Sequence, residues 1–256
     1  MSDMNGKVAL ITGASSGIGR STAEAFAARG ARVVLAARRQ EELAELTREI
    51  TARGGQASFV VTDVAVAKDV EKMVAHAIQK FGRLDYAVNN AGIEGKLAPI
   101  TDLPEQEFDR VLDINLKGTF LCLQHEARAM LAGAHGGAIV NVGSVNSFLG
   151  FPTGSAYVTS KHGLIGLTSS VSAELAPQGI RVNLVCPGFI DTPMHHRGRA
   201  ILGDEIYDKF LSQSVHLKRA GRPEEIAQTI VFLCSDEASY ISGTTVTPDG
   251  GFTLTV

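Results

Sequence analysis

Three features that would narrow the function of this 256-residue chain are missing from it. There is no run of like charge: 24 basic residues stand against 27 acidic ones, a formal net charge of -3, so nothing recruits nucleic acid or an anionic membrane. No stretch approaches the ~18 consecutive apolar residues of a membrane helix, and residues 1–7 show neither the apolar core nor the cleavage pattern of a signal peptide. Cysteine is scarce: Cys122, Cys186 and Cys234 are odd in number and far apart, in a chain large enough to fold without covalent staples. A soluble, reduced, cytoplasmic protein is expected. Proline is also sparse, at eight, against 27 glycines in short clusters with no repeat, which excludes collagen-like and linker-like architectures. With 45% hydrophobic and 20% charged residues, the composition suits one core in a single domain over 1–256.

Short apolar, β-branched runs recur at 8–11, 32–36, 58–61, 84–88, 138–142, 181–185 and 244–247. Between them apolar residues fall at helical spacing, as in Ala23, Phe26 and Ala27, then Leu43, Leu46 and Ile50. Parallel neighbours need a crossover of a dozen or more residues, and this alternation supplies one each time. The pattern predicts an α/β fold, a doubly wound, seven-stranded parallel sheet with about six long helices on both faces. Residues 192–223 stand apart. They follow a Pro-Gly turn and mix polar residues with the adjacent His195 and His196, which predicts a lid over a site.

The first strand runs into Thr12-Gly13-Ala14-Ser15-Ser16-Gly17-Ile18-Gly19. Where a strand turns directly into a helix, free backbone N–H groups and the positive end of the helix dipole make a pyrophosphate site. Glycine is needed there because a side chain would block the phosphates or strike the sheet. The Gly-Lys-Ser/Thr ending of a phosphate-binding P-loop is absent, which disfavours a nucleoside triphosphatase.

The Thr-Gly-x-x-x-Gly-x-Gly spacing is joined along the chain by Asp63-Val64, Asn89-Asn90-Ala91-Gly92, Asn115, Ser144, Tyr157-x-x-x-Lys161 and Pro187-Gly188. In this order the motifs resemble the short-chain dehydrogenase/reductase family over essentially the whole chain. The resemblance implies a Rossmann-type enzyme, a homotetramer or homodimer, that moves a hydride between NAD(P) and an alcohol or carbonyl. It implies that Gly13, Ser15, Ser16, Gly17, Ile18 and Gly19 hold the pyrophosphate and that Asp63 and the Val64 backbone meet the adenine. Asn90, Ala91 and Gly92 would follow the ribose, with Pro187, Gly188, Ile190 and Thr192 over the nicotinamide. Read from sequence alone, Asp63 is equally a capping or turn residue, Asn89 a link between strands, and Pro187-Gly188 a plain turn.

The second strand ends Ala37-Arg38-Arg39. An acidic residue there would accept bonds from a ribose 2'-hydroxyl and repel a 2'-phosphate. Ala37 stands where NAD-using members of the family often have Asp, and Arg38 can pair with a 2'-phosphate through a forked, charge-assisted contact. NADP is therefore preferred over NAD, although both arginines could simply be solvated residues opening a loop.

Tyr157 and Lys161 are four residues apart, so a helix brings them to one face. A tyrosine with a pKa of about 10 is ionised to only ~0.1% at pH 7, and a nearby ammonium together with an oxidised nicotinamide would favour its phenolate. By resemblance Lys161 also holds the nicotinamide ribose, and Tyr157 exchanges a proton with the substrate oxygen. Ser144 follows a buried run at the C-terminal end of a parallel strand, where its hydroxyl can bond the same oxygen. Asn115 sits in an apolar helical run, where it either kinks the helix or holds a water; the family suggests a proton relay from Lys161. Ser144 and Tyr157 then face a substrate pocket with Glu94, Phe189, Met194 and His195, and Ile93, Val145, Phe148 and Leu149 are further wall candidates. No Cys/His/carboxylate spacing forms a metal site, His162 is a packing or capping residue, and Gly163 and Gly166 allow close packing.

These residues lead to an NADP-dependent reductase or dehydrogenase acting on a small carbonyl or secondary alcohol. A non-catalytic NADP-binding sensor of the same fold and an NAD-dependent sugar or steroid dehydrogenase are the alternatives. The cofactor assignment is checked by the NADP/NAD preference measured with one common substrate: Arg38→Asp should collapse it, and an unchanged ratio would refute the assignment.

Overall fold

The computed structural model describes residues 3–254. The apolar runs form β1 (Val8–Thr12), β2 (Arg32–Ala37), β3 (Gln56–Val61), β4 (Tyr86–Asn89), β5 (Gly137–Val142), β6 (Ile180–Val185) and β7 (Thr245–Val246). Around them lie α1 (Gly17–Ala27), α2 (Gln40–Ala52), α3 (Ala67–Phe81), α4 (Glu105–Leu112), α5 (Gly118–Gly133), α6 (Ser155–Leu175), α7 (Pro193–Leu202), α8 (Asp204–Ser214) and α9 (Pro223–Cys234). The described residues thus hold more helices than the six expected. A π-turn at Asp113–Lys117 divides one long helical stretch into α4 and α5, and residues 192–223 carry the two shorter helices α7 and α8. Among the described residues no helix is long and apolar enough to cross a membrane.

All neighbouring strands are parallel, in the order β3-β2-β1-β4-β5-β6-β7. Alternation along each strand feeds two cores. Ala9, Ile11, Val33 and Leu35 pack with Phe26, Leu43, Leu46 and Ile230 of α1, α2 and α9. Val8, Leu10, Val34 and Ala36 face the other way, onto Val70, Met73 and Ala77 of α3, Leu123 and Met130 of α5, and Leu175 of α6. The α3 residues recur at i, i+3 and i+7, the stripe that turns one helical face inward.

The strand order reverses between β1 and β4, which opens a crevice above their C-terminal ends. The Thr12 hydroxyl ties its edges together. It accepts from Asn90 N at 3.0 Å and Ala91 N at 3.1 Å and donates to Val88 O at 3.3 Å.

A second polar knot lies one layer down. Asn89 Nδ2 donates to Glu126 Oε2 at 3.0 Å and to Asn141 Oδ1 at 3.1 Å, and Asn141 Nδ2 donates to Thr168 Oγ1 at 3.0 Å. Asn89 is therefore the link between strands that its position allowed. Glu126 is fully buried, its Oε1 has no hydrogen-bond partner among the described residues, and burial raises its carboxyl from 4.5 to about 7, with the Asn89 bond opposing. A folded-state pKa raised in this way stabilises the protein fully below about 4.5, and the contribution is lost as pH rises through about 7. Urea denaturation should accordingly show Glu126→Gln gaining on the parent by roughly 3 kcal/mol between pH 4.5 and pH 8. Parallel pH profiles for the two proteins would refute the buried titration.

Candidate active site

The glycine turn after β1 adopts the geometry its sequence requires. Gly13 and Gly17 have φ of 66° and 55°, in the left-handed region that disfavours side chains. A Cβ on Gly13 would lie 2.7 Å from Asn90 Nδ2, and one on Gly19 would strike the Gly13 carbonyl. Ser16 precedes α1 without bonding its N–H groups, and the first turn of α1 carries no acidic residue. An uncapped helix N-terminus beside two left-handed glycines fits the pyrophosphate of a dinucleotide. Ile18, Asn90 and Gly92 line the same crevice, and the Ala91 amide is held by Thr12.

At the end of β2, Arg38 is exposed. Arg39 turns back over the glycine turn. Its guanidinium donates to Ser15 Oγ and Ser16 Oγ, each at 2.8 Å, and lies 3.3 Å from Glu42. The sequence singled out Arg38, and nothing in the pattern told which arginine would reach the two serines. After β3, Asp63 Oδ1 accepts from Ala65 N at 3.0 Å, so the turn role is realised with its second oxygen left over, and Val64 is buried.

The α6 helix carries Tyr157 and Lys161 on one face, with Lys161 Nζ 5.7 Å from the tyrosine ring centroid. Lys161 Nζ donates to Val142 O at 2.8 Å. Ser144 caps the turn after β5: its Oγ accepts from Asn146 N at 3.1 Å and its hydroxyl donates to Asn146 Oδ1 at 3.3 Å. Burial governs the titration of both α6 groups. It pushes the Tyr157 hydroxyl up to about 12, against a lowering contribution from the Ser144 hydroxyl and a further raising one from Glu94. It also brings Lys161 down to about 8. Desolvation favours the neutral form of each, so Tyr157 of the chain by itself stands as a phenol.

Asn115 explains the π-turn. The widened turn lets its buried amide close on three partners: Oδ1 accepts from Ile93 N at 2.8 Å, while Nδ2 donates to Ile93 O at 2.8 Å and Ser160 Oγ at 3.0 Å. Its side-chain atoms are committed to this clamp. Gly92 lies against it, with a Cβ there falling 3.3 Å from Asn115 Oδ1 and 3.6 Å from Lys161 Nζ. The Asn115 carbonyl accepts from Thr119 Oγ1 at 2.8 Å.

Above these groups opens a cavity of about 750 Å³. Ser144, Tyr157 and Lys161 line it, with Pro187, Gly188, Phe189, Ile190 and Thr192 from the loop after β6, Glu94 from the loop after β4, and Met194 and His195 from α7. Of the further wall candidates, Val145 and Leu149 contribute. Ile93 and Phe148 do not line the cavity: the Ile93 backbone is bound to Asn115, and Phe148 points to solvent. Residues that the pattern missed complete the wall, notably Asn146, Phe151, Tyr207, Phe210 and Phe252. Phe189 meets Tyr207, Phe210 and Phe252 edge-on, with centroids 6.4, 5.3 and 5.0 Å away. Tyr207 and Phe210, three apart in a helical segment, were the available signal.

The adjacent histidines divide their roles. His195 lies in the wall with its Nδ1 2.9 Å from Tyr207 Oη, and His196 pairs with Asp191 at 2.5 Å on the outside. His162 Nδ1 lies 3.0 Å from Val158 O, a local contact on an exposed face. Gly163 packs on Leu116, whereas Gly166 faces open space, so only the first meets the close-packing expectation. A parallel bridge between Ile190 and Gly221 closes the base of a flap formed by α7 and α8: Gly221 N donates to Phe189 O and Asp191 N donates to Gly221 O, both at 2.8 Å.

A family described as enoyl-(acyl carrier protein) reductase matches residues 13–253. The structure superimposes on the crystal structure of levodione reductase with a TM-score of 0.94 and 37% identity, over 99% of this chain and 100% of that one. The chain belongs to the short-chain dehydrogenase/reductase family. It is similar to the A-factor type gamma-butyrolactone 1'-reductase (1S-forming) of Streptomyces virginiae, 40% identical over 97% of this chain and 96% of that protein. It is likewise similar to the cyclohexanol dehydrogenase of an Acinetobacter species, 41% identical over 97% and 96%. As a short-chain dehydrogenase/reductase it is an oxidoreductase of alcohols and carbonyls, in a family whose members bind NAD(P).

Proposed function

We propose that this short-chain dehydrogenase/reductase is an NADP(H)-dependent carbonyl reductase and secondary alcohol dehydrogenase in which Tyr157 is the general acid and base. The observation that carries this reading is the convergence of Tyr157, Ser144 and Lys161 on one cavity that also reaches the glycine turn through Ile18 and Asn90. When bound, the nicotinamide supplies a hydride to a carbonyl carbon or takes one from a carbinol carbon. Tyr157 gives its hydroxyl proton to the carbonyl oxygen on reduction and takes it back on oxidation. The Ser144 hydroxyl bonds the same oxygen and stabilises the charge developing there. The Lys161 ammonium steadies the phenolate left behind, and Asn115 acts on Tyr157 as a positioning residue, through Ser160.

Burial that holds Tyr157 as a phenol suits it to proton donation, hence to carbonyl reduction at neutral pH. NADP is supported by Ala37, where no carboxylate repels a 2'-phosphate, by the Arg39 guanidinium over the glycine turn, and by Arg38 exposed at the end of β2. The remaining cofactor positions are those of the glycine turn, Asp63 and Val64, Asn90 to Gly92, and Pro187 to Thr192. A substrate of neutral, partly apolar character, such as a ring ketone, suits a wall built from Phe189, Met194, Tyr207 and Phe210. The segment 192–223 serves as its lid. The free, buried cysteines support a reducing cytoplasm, and the exposed Phe120, Phe232 and Tyr240 support assembly into a homotetramer.

With NADPH and cyclohexanone the protein should oxidise the cofactor. Tyr157→Phe should lower kcat/KM by roughly a thousandfold or more while NADPH binding, followed by fluorescence titration, changes less than threefold or so. Retained turnover in that variant would refute the mechanism. Light scattering coupled to gel filtration should return roughly four times the chain mass, and a monomer mass would refute the assembly.

A further inference from the structure

Within the cavity nearly every polar side chain already has a partner. Ser144 is bonded to Asn146, Asn146 to Leu149 O, Lys161 to Val142 O, and His195 to Tyr207. Glu94 is different. It lines the cavity half-buried, on the loop between β4 and α4, and its carboxylate makes no hydrogen bond among the described residues. Burial raises its pKa and the charge of Arg197, on the flap, lowers it. It is near enough to Tyr157 for its charge to be felt at the phenol. A carboxylate withdrawn from water without a donor loses free energy that a bound donor would restore.

We propose that Glu94 accepts a hydrogen bond from a second hydroxyl of the substrate, so that the preferred substrate is a hydroxyketone or diol on an apolar frame. This rests on the proposed carbonyl reduction and names its substrate class. The hydroxyl oxygen stays on the substrate and takes no part in the redox step. The frame lies against the edge-on cluster of Phe189, Tyr207 and Phe210, with the reacting oxygen at Tyr157 and Ser144. A neutral donor fits better than a cation. The charge of Arg197 is within electrostatic reach of Glu94 and lowers its pKa, so the carboxylate already has a cation nearby and what it lacks is a hydrogen-bond donor.

The test compares kcat/KM for cyclohexanone, for its 2-, 3- and 4-hydroxy derivatives, and for 4-aminocyclohexanone, with NADPH and NADH each supplied, in the parent protein and in Glu94→Met. In the parent at least one hydroxyketone should be preferred over cyclohexanone by roughly tenfold or more, the scale of a hydrogen bond to a charged group. In Glu94→Met that ratio should fall to about one, mainly through a higher KM for the hydroxyketone. The ratio is internal to each preparation, so loss of folded protein cancels. Turnover of cyclohexanone with no hydroxyl preference, or a preference that survives Glu94→Met, would overturn the role of Glu94 and leave carbonyl reduction intact. A preference for the amine would overturn the neutral-donor assignment, and turnover of none of the ketones with either cofactor would overturn both readings.

Discussion

The amide of Asn115 lies between the loop after β4, the π-turn and α6, and its hydrogen bonds tie these three elements together. It grips both backbone groups of Ile93 and the hydroxyl of Ser160, and that hydroxyl in turn donates to Tyr157 O at 2.7 Å. A continuous path therefore runs from the loop after β4 to the turn of α6 that holds Tyr157. A buried amide is costly unless all its groups are bonded, and here the same bonds that satisfy it fix the spacing between two elements far apart in sequence. The π-turn follows from this demand: a regular helix through 113–117 would not present the amide to both neighbours in the same way.

Burial is the second organising effect, and it acts on opposite charges in opposite directions. Tyr157 rises to about 12 and Lys161 falls to about 8 because each would be charged in a poorly solvated place. The same dryness makes each remaining dipole and charge in the cavity count for more than it would in water. Glu126 obeys this rule beneath the sheet, where a single donated hydrogen bond only partly offsets the loss of water.

Much of the fold was legible because buried parallel strands are short, apolar and bounded by turns, and all seven runs became strands with ends shifted by a few residues. The glycine turn was equally legible, since only glycine satisfies its φ angles and contacts. What escaped were properties that depend on where side chains meet in space. Phe189, Tyr207 and Phe252 come from three separate segments, and no local pattern tells that they share one wall. Arg38 and Arg39 are chemically alike, and only the course of the chain leaving β2 brings Arg39 back over Ser15 and Ser16. Spacing put Lys161 near Tyr157, whereas the desolvation that raises the one and lowers the other depends on the packing around them.

The bridge between Ile190 and Gly221 has a consequence for how this scaffold diversifies. The flap leaves and re-enters the body at neighbouring points, so its interior can change length or sequence while the two anchor residues stay paired. Lengthening such a loop costs little, because closure entropy grows only with the logarithm of its length. The sheet and α6 lie outside the bridged segment and would not register the change. Selection can thus rewrite one side of the pocket as an exchangeable cassette, leaving inherited chemistry on one side of the bridge and novelty on the other.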